Sequence, residues 1–305
     1  MISLETVGKK YFPNYGLKVF LKEDDLLNSD LGYGERFKIV FAEEGSGILN
    51  IEGKRLIFVS PALFCFNENE HYFLESHSKL KALTVWFHPN IINNAFSFNR
   101  IRNPEGLSAT ENQDLFWLEV FIDRNSTFRG QLNIGPGTCK QVKALFDCIR
   151  LELDVQRDNY WPCRSRSYLI ELLFLIQRLA STPEANYSIE INREQSGIRD
   201  ILLYLYSNYS KKITIEDLTE KFHINRTSLN KLFNDVTGMS VMNFLIKYRA
   251  CLSAQLLRDT TLPVAEIIGR TGFNDPSHFG RMFKKYYGLS ATEYREKTTG
   301  CLSKM

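Results

Sequence analysis

At 305 residues the chain is long enough for two domains, and with 44% hydrophobic and 24% charged residues its composition is that of an ordinary globular protein rather than a disordered or fibrous one. The net charge of +3 hides an asymmetry: residues 1–196 carry 22 Lys+Arg against 25 Asp+Glu, whereas residues 197–297 carry 15 against 10. No apolar core follows Met1, the richest apolar run (residues 169–176) contains Glu171, and six irregularly spaced cysteines form no Cys-x-x-Cys pair, so we expect no secretory leader, no membrane span and reduced thiols in a cytoplasm.

Residues 1–137 read as a β-rich domain. Short runs of branched and aromatic residues at 37–41, 47–51, 55–59, 62–66 and 80–87 are separated by turn signals: Glu44-Gly-Ser-Gly47, Glu52-Gly-Lys54, Ser60-Pro61 and Asn67-Glu-Asn69. Strands at this spacing imply a small antiparallel barrel or sandwich, whose mouth is a usual place for a small-molecule pocket. Phe66, His71 and Trp86 are the candidates for lining it. His71, Glu75, His77 and His88 include no His-x-His pair, so no metal or cofactor is expected, with His71 at a loop or pocket rim and His77 and His88 on the surface. Gly45-Ser-Gly47 lacks the Gly-Lys-Ser/Thr ending of a phosphate loop and reads as a turn.

Residues 138–182 read as a helical pair. Val142, Leu145, Phe146, Ile149 and Leu153 recur at helical spacing, and Trp161-Pro162 opens a second helix carrying Tyr168, Leu169, Leu172, Leu173, Ile176 and Leu179. Such stripes either cover the barrel or mark association, and a homodimer through this pair is expected. Breaker residues and low hydrophobicity make residues 183–197 a linker.

Residues 198–297 contain one helical device twice. At an offset of 50, Leu218 falls on Ile268, Leu229 on Phe279, Leu232 on Met282, Phe233 on Phe283, Gly238 on Gly288, Ser240 on Ser290 and Phe244 on Tyr294. In the first copy Thr214 and Asp217 form a capping box, Phe222-His-Ile224 turns, and Asn225 caps a second helix that Gly238 ends. In the second copy Pro263 opens a helix, Thr271-Gly-Phe273 turns, Asp275-Pro276 supplies a cap and a proline at the first helical position, and Gly288 ends the helix. Each copy is a helix-turn-helix pattern. Between them, Val241, Phe244, Leu245, Tyr248, Leu252 and Leu256 form the stripe of one helix on the order of 30 Å long, close to the roughly 34 Å that separates successive major-groove faces on one side of DNA.

The segment Thr271-Gly-Phe-Asn-Asp-Pro-Ser-His-Phe279, with Ile267-Ile268 before it and Arg281-Met-Phe-Lys-Lys285, Gly288-Leu-Ser290 and Tyr294-Arg295 after it, resembles the signature of the AraC/XylS family of bacterial transcription regulators. Two positions depart from the family pattern: Ala291 stands where a proline is usual, and Asn234 where a basic residue often follows Leu-Phe. The strand and turn order of residues 37–90 resembles the cupin-like sensor domain common in that family. The resemblance implies an α+β multidomain chain, with a cupin-like antiparallel β-barrel and flanking helices followed by an all-α double helix-turn-helix domain. It also implies a non-enzymatic regulator of transcription, an activator, with double-stranded DNA, a small-molecule effector and RNA polymerase as partners.

Subtracting the buried positions of each second helix leaves the residues that face DNA. The resemblance assigns base contacts to Thr227, Asn230 and Lys231, with Ser277, His278 and Arg281 on the matching face of the second copy. Arg226, Asn234, Lys284 and Lys285 remain for phosphates, and Gly280 sits where a contacting side chain could stand. The competing reading is a DNA-linked thiol enzyme or redox sensor acting through Cys163, which opens a helix in Trp161-Pro-Cys-Arg164 beside two arginines. The Pro-Cys-His-Arg motif of the repair proteins that carry such a thiol is absent.

Overall fold

The computed structural model describes residues 5–23, 27–29, 35–77, 79–124, 129–182, 189–192 and 196–299. Two compact units result, residues 1–134 with 139–188 and residues 135–138 with 189–305.

The first unit begins with a small hairpin, β1 (Thr6–Val7) and β2 (Gly16–Leu17), followed by β3 (Val19–Glu23), β4 (Phe37–Glu44), β5 (Ser46–Ile51), β6 (Lys54–Val59), β7 (Ala62–Phe66), β8 (Tyr72–His77) and β9 (Lys81–Phe87). Three short helices, α1 (Phe98–Arg102), α2 (Ala109–Phe116) and α3 (Glu119–Ile122), precede β10 (Gln131–Asn133). One sheet has the antiparallel order β10-β7-β4-β9-β3; in the other, β5 pairs antiparallel with β6 and with β8. The β5–β6 hairpin turns on Glu52 and Gly53, with φ of 51° and 79°, the paired left-handed geometry that a two-residue hairpin loop needs.

Period-two alternation sorts the core. Phe37, Ile39 and Phe41 of β4, Leu63 and Cys65 of β7, and Leu83, Val85 and Phe87 of β9 lie on one face of the five-stranded sheet. The opposite face sends Val40, Ala42, Phe64 and Phe66 against Leu49, Ile51, Leu56 and Phe58 of the second sheet, forming the expected antiparallel barrel. Helices α4 (Pro136–Val155) and α5 (Trp161–Ala180) present the stripes expected of them. Val142, Leu145, Phe146, Ile149 and Leu153, together with Leu169, Leu172, Leu173, Ile176 and Leu179, join the β4–β7–β9 cluster and close the core of this unit. Each such fully buried side chain contributes roughly 1.5–3 kcal/mol. Burial pushes the Cys65 thiol up to about 12, so it packs as a small hydrophobe.

His88 corrects a sequence expectation. It is half-buried rather than on the surface: its Nδ1 accepts the Asn90 N–H at 3.1 Å and its ring stands 5.1 Å edge-on to Phe98. Burial lowers its pKa below the ordinary 6.5. A histidine whose folded pKa is depressed contributes stability that is present above its unfolded pKa and is lost as pH falls through the folded value. The melting temperature of the first unit should therefore fall as pH drops below about 6.5. His88→Asn keeps an acceptor for Asn90 but does not titrate, and the difference between the two pH profiles isolates this histidine.

The second unit contains β11 (Ile189–Ile191), α6 (Ser196–Asn208), α7 (Ile215–Phe222), α8 (Arg226–Thr237), α9 (Val241–Asp259), α10 (Val264–Arg270), α11 (Pro276–Tyr287) and α12 (Ala291–Thr299). Of the expected linker, residues 183–188 and 193–195 lie outside the described residues. Among the described residues no helix is long and apolar enough to cross a membrane.

Candidate nucleic-acid interface

The two copies are built by local chemistry that the sequence announces. The Thr214 N–H donates to Asp217 Oδ2 at 2.8 Å and the Asp217 N–H returns to Thr214 Oγ1 at 3.2 Å, so two unsatisfied donors at the start of α7 are satisfied reciprocally. His223 ends α7 in the left-handed region at φ 52°, and Asn225 Oδ1 accepts the Ser228 N–H at 2.8 Å to open α8. In the second copy Asp275 accepts from the N–H groups of Ser277 and His278 at 2.9 and 3.0 Å. Gly238 and Gly288 stop the two second helices at φ 70° and 72°. The turn before α11 requires glycine on a second ground: a Cβ on Gly272 would lie 2.4 Å from the Tyr209 carbonyl oxygen, and its φ is 81°.

Packing then decides which faces remain outside. Helix α8 buries Leu229 and Phe233, and α11 buries Phe279 and Phe283. On α8, Arg226, Thr227, Ser228, Lys231 and Asn234 are exposed. On α11, Ser277, Gly280, Arg281, Lys284 and Lys285 are exposed, while His278 is half-buried with its ring 5.9 Å edge-on to Phe273. Ser228 escaped the sequence reading although the 50-residue register places it opposite His278. Asn230 differs from its neighbours: it is half-buried, and its Oδ1 accepts the Val241 N–H at 3.3 Å. Lys285 extends its ammonium to 5.7 Å from the Tyr286 ring centroid.

Several basic residues of this unit are structural. Arg249 donates to the carbonyls of Tyr209 and Lys211 at 2.8 and 2.7 Å. Arg258 pairs with Asp259 at 2.7 Å with both side chains 6% exposed, and Arg295 donates to the Leu262 carbonyl at 2.5 Å. The positive surplus therefore concentrates on fewer side chains than the count suggests, among them Lys231, Arg281, Lys284 and Lys285 on the second helices of the two copies.

Helix α9 joins the copies without a break. Ser240 Oγ caps it, it runs 19 residues to Asp259, and Val241, Phe244, Leu245, Leu252 and Leu256 are buried along it. At 1.5 Å per residue it spans about 28 Å. Both copies pack on this one rod: Phe233 of α8 meets Phe244 at 5.6 Å between ring centroids, and Ser253 hydrogen-bonds Thr271 of the second copy at 2.9 Å.

Residues 218–297 match the family model of a helix-turn-helix domain. The chain is 27% identical over 176 residues to the lactose operon transcription activator of Staphylococcus xylosus, a match covering 57% of this chain and 62% of that protein. It is 22% identical over 265 residues to the HTH-type transcriptional activator RhaS of Shigella dysenteriae, covering 87% of each. The C-terminal part of the chain is a helix-turn-helix domain of the AraC type. The C-terminal domain of AraT, a response regulator from Geobacillus stearothermophilus, is 29% identical over 35% of this chain and 88% of its own, with a TM-score of 0.33. This chain spans less than two thirds of the Staphylococcus activator's length.

The remaining candidate residues lie in the first unit. Phe66 and Trp86 are both register partners of Lys38 on β4, one on each side. The ammonium of Lys38 is 5.2 Å from the ring centroids of both Trp86 and Tyr72, and Tyr72 stacks on Phe66 at 3.7 Å. His71 is apart from this group: it is exposed, and its backbone N–H donates to Glu52 Oε1 at 2.5 Å. Lys38 and Tyr72 were not singled out in the sequence. Glu75 is held by Arg55 at 2.6 Å and Asn50 at 2.9 Å. Cys163 is exposed in the first turn of α5, but the neighbouring Arg164 is turned onto Glu152 and Asp158 at 2.7 and 3.0 Å, and Arg166 donates to the Ile92 carbonyl at 2.8 Å. Both guanidiniums beside this thiol are engaged with other groups.

Proposed function

We propose that this chain is a sequence-specific DNA-binding transcription regulator, an activator, that lays α8 and α11 into two adjacent major-groove segments of one duplex. The observation that carries this reading is the uninterrupted α9, which holds two outward-facing second helices on one rod of nearly duplex-pitch length. Thr227 and Lys231 read bases from α8, and Ser277, His278 and Arg281 from α11. Arg226, Asn234, Lys284 and Lys285 contact phosphates. Arg281 carries the largest share in the second half-site, because its guanidinium suits bidentate pairing with a guanine edge and Gly280 beside it offers no side chain.

The first unit serves as the sensor. A small-molecule effector binds within the barrel beside Phe66 and Trp86, with Lys38 and Tyr72 completing the group, while α4 and α5 supply the self-association surface of a homodimer. The protein acts in the bacterial cytoplasm and engages RNA polymerase at the promoter. The named activities of its relatives support this reading: one activates a lactose operon and another is the transcriptional activator RhaS.

Arg281→Ala tests the DNA assignment. Binding to a duplex selected by the wild-type chain should weaken by about 1–3 kcal/mol, with preference lost at one base position. Lys284→Ala should instead weaken all sequences alike and reduce the salt dependence of binding by about one phosphate contact. Unchanged affinity and preference in Arg281→Ala would remove α11 from the interface.

A further inference from the structure

We infer that Asn230 is a positioning residue that sets how α8 presents its neighbours to DNA, and not itself a reader of bases. The inference rests on the reading of α8 as a DNA-facing helix. Two observations separate Asn230 from the residues around it. Arg226, Thr227, Ser228, Lys231 and Asn234 are exposed, whereas Asn230 is half-buried. Its Oδ1 also accepts the N–H of Val241, the first residue of α9, at 3.3 Å.

That N–H is one of the donors at a helix start that have no partner inside the helix. Val241 is fully buried, so water cannot serve it, and the capping Ser240 Oγ is taken by the Asn243 N–H at 3.4 Å. A buried unsatisfied donor is costly, so the carboxamide is held where it is. The bond joins the middle of α8 to the beginning of the rod, and Thr227 and Lys231, one turn before and one residue after Asn230, are oriented by it. An asparagine that reads adenine must present both its oxygen and its amide to the base edge, and here the oxygen is engaged by protein.

The second copy makes the contrast. At the offset of 50, Gly280 stands for Asn230 and Ala291 for Val241. A Cβ at Gly280 would meet nothing within 4 Å, and glycine carries no side chain to reach the start of α12. The first reader is thus tied to the start of the helix that follows it by a side-chain-to-backbone hydrogen bond, which glycine at position 280 cannot make in the second.

The test is affinity selection from a randomised duplex library using the full chain as wild type, Asn230→Ala and Asn230→Asp. The aspartate keeps an acceptor for the Val241 N–H, and circular dichroism melts establish that each variant is folded. Asn230→Ala should relax discrimination by about fivefold or more at two or more adjacent positions of the α8 half-site, leaving the α11 half-site unchanged. Asn230→Asp should retain the wild-type base preferences while binding all sequences more weakly, because it adds a negative charge near phosphates. Relaxation at one position only, in both variants, would show that Asn230 reads a base. A uniform loss of affinity in Asn230→Ala with preferences intact would show that the bond only stabilises the fold. Both results overturn the inference. If the wild-type chain selects no sequence in an α8 half-site, the underlying DNA assignment fails instead, and that outcome is visible without any variant.

Discussion

Replacing Ala250 by proline should cost the second unit on the order of 3 kcal/mol and uncouple the two helices, α8 and α11, that we propose read DNA. Ala250 is fully buried at the middle of α9, where proline removes one intrahelical hydrogen bond and drives its ring into the carbonyl four residues earlier. The kink re-aims everything beyond it. Since α8 packs on the first half of the rod and α10, α11 and α12 on the second, α11 would no longer meet the next groove in phase. Affinity for a duplex carrying both half-sites should fall to that for a duplex carrying one. Ala250→Gly is the control, because it costs about 1 kcal/mol in a helix interior but leaves the ladder of hydrogen bonds intact. A folded Ala250→Pro chain that binds the two-half-site duplex like wild type would show that the rod does not set the spacing.

Legibility in the sequence followed the range of the interactions. The capping box of Thr214 and Asp217, the Asn225 and Asp275 caps and the glycine stops at 238 and 288 depend on residues within four positions of each other, and each stands where the sequence placed it. The five expected strands are also present, because their alternation is strong. Strand β8 is hard to read from the sequence for a physical reason: it is an edge strand on β5 with a single further bridge from Phe73 to Asn28 among the described residues, its register slips by one residue opposite Ile48 and Leu49, and Phe73 is 47% exposed, so its pattern is neither continuous nor cleanly alternating. Lys38 is not legible as an interior residue, because a polar residue between Phe37 and Ile39 reads as solvent-facing. The second sheet makes that face an interior, where the lysine meets the rings of Tyr72 and Trp86. The Asn230 bond was illegible on other grounds: it spans eleven positions and exists only once the crossing of α8 and α9 is fixed. His88 belongs with it, since its burial depends on Phe98, which lies on a separate helix.

Phe283→Ala should be the most damaging single truncation in the second unit. Its side chain is fully buried, stacked on Tyr287 at 4.8 Å and packed 5.5 Å from both Phe279 and Tyr294, so it joins α11 to α12 within one cluster. Truncating a phenylalanine in such a site costs about 3–5 kcal/mol, the lost transfer free energy plus that of the cavity left behind. Against a total stability of roughly 5–15 kcal/mol for a domain, that is enough to melt or nearly melt the unit. The chain offers two separate readouts. All three tryptophans, Trp86, Trp117 and Trp161, lie before residue 189, so their fluorescence follows the first unit alone. The phenylalanine change should lower the helical transition seen by circular dichroism, abolish DNA binding and leave the tryptophan transition in place. Phe233→Ala, at the matching position of the first copy and also fully buried, should give the same pattern, because α9 is shared by both copies and cannot stay packed on one when the other is lost. If only the half-site read by the altered copy were lost, each copy would be a separate folding unit, and the shared rod would hold them together without making them cooperative.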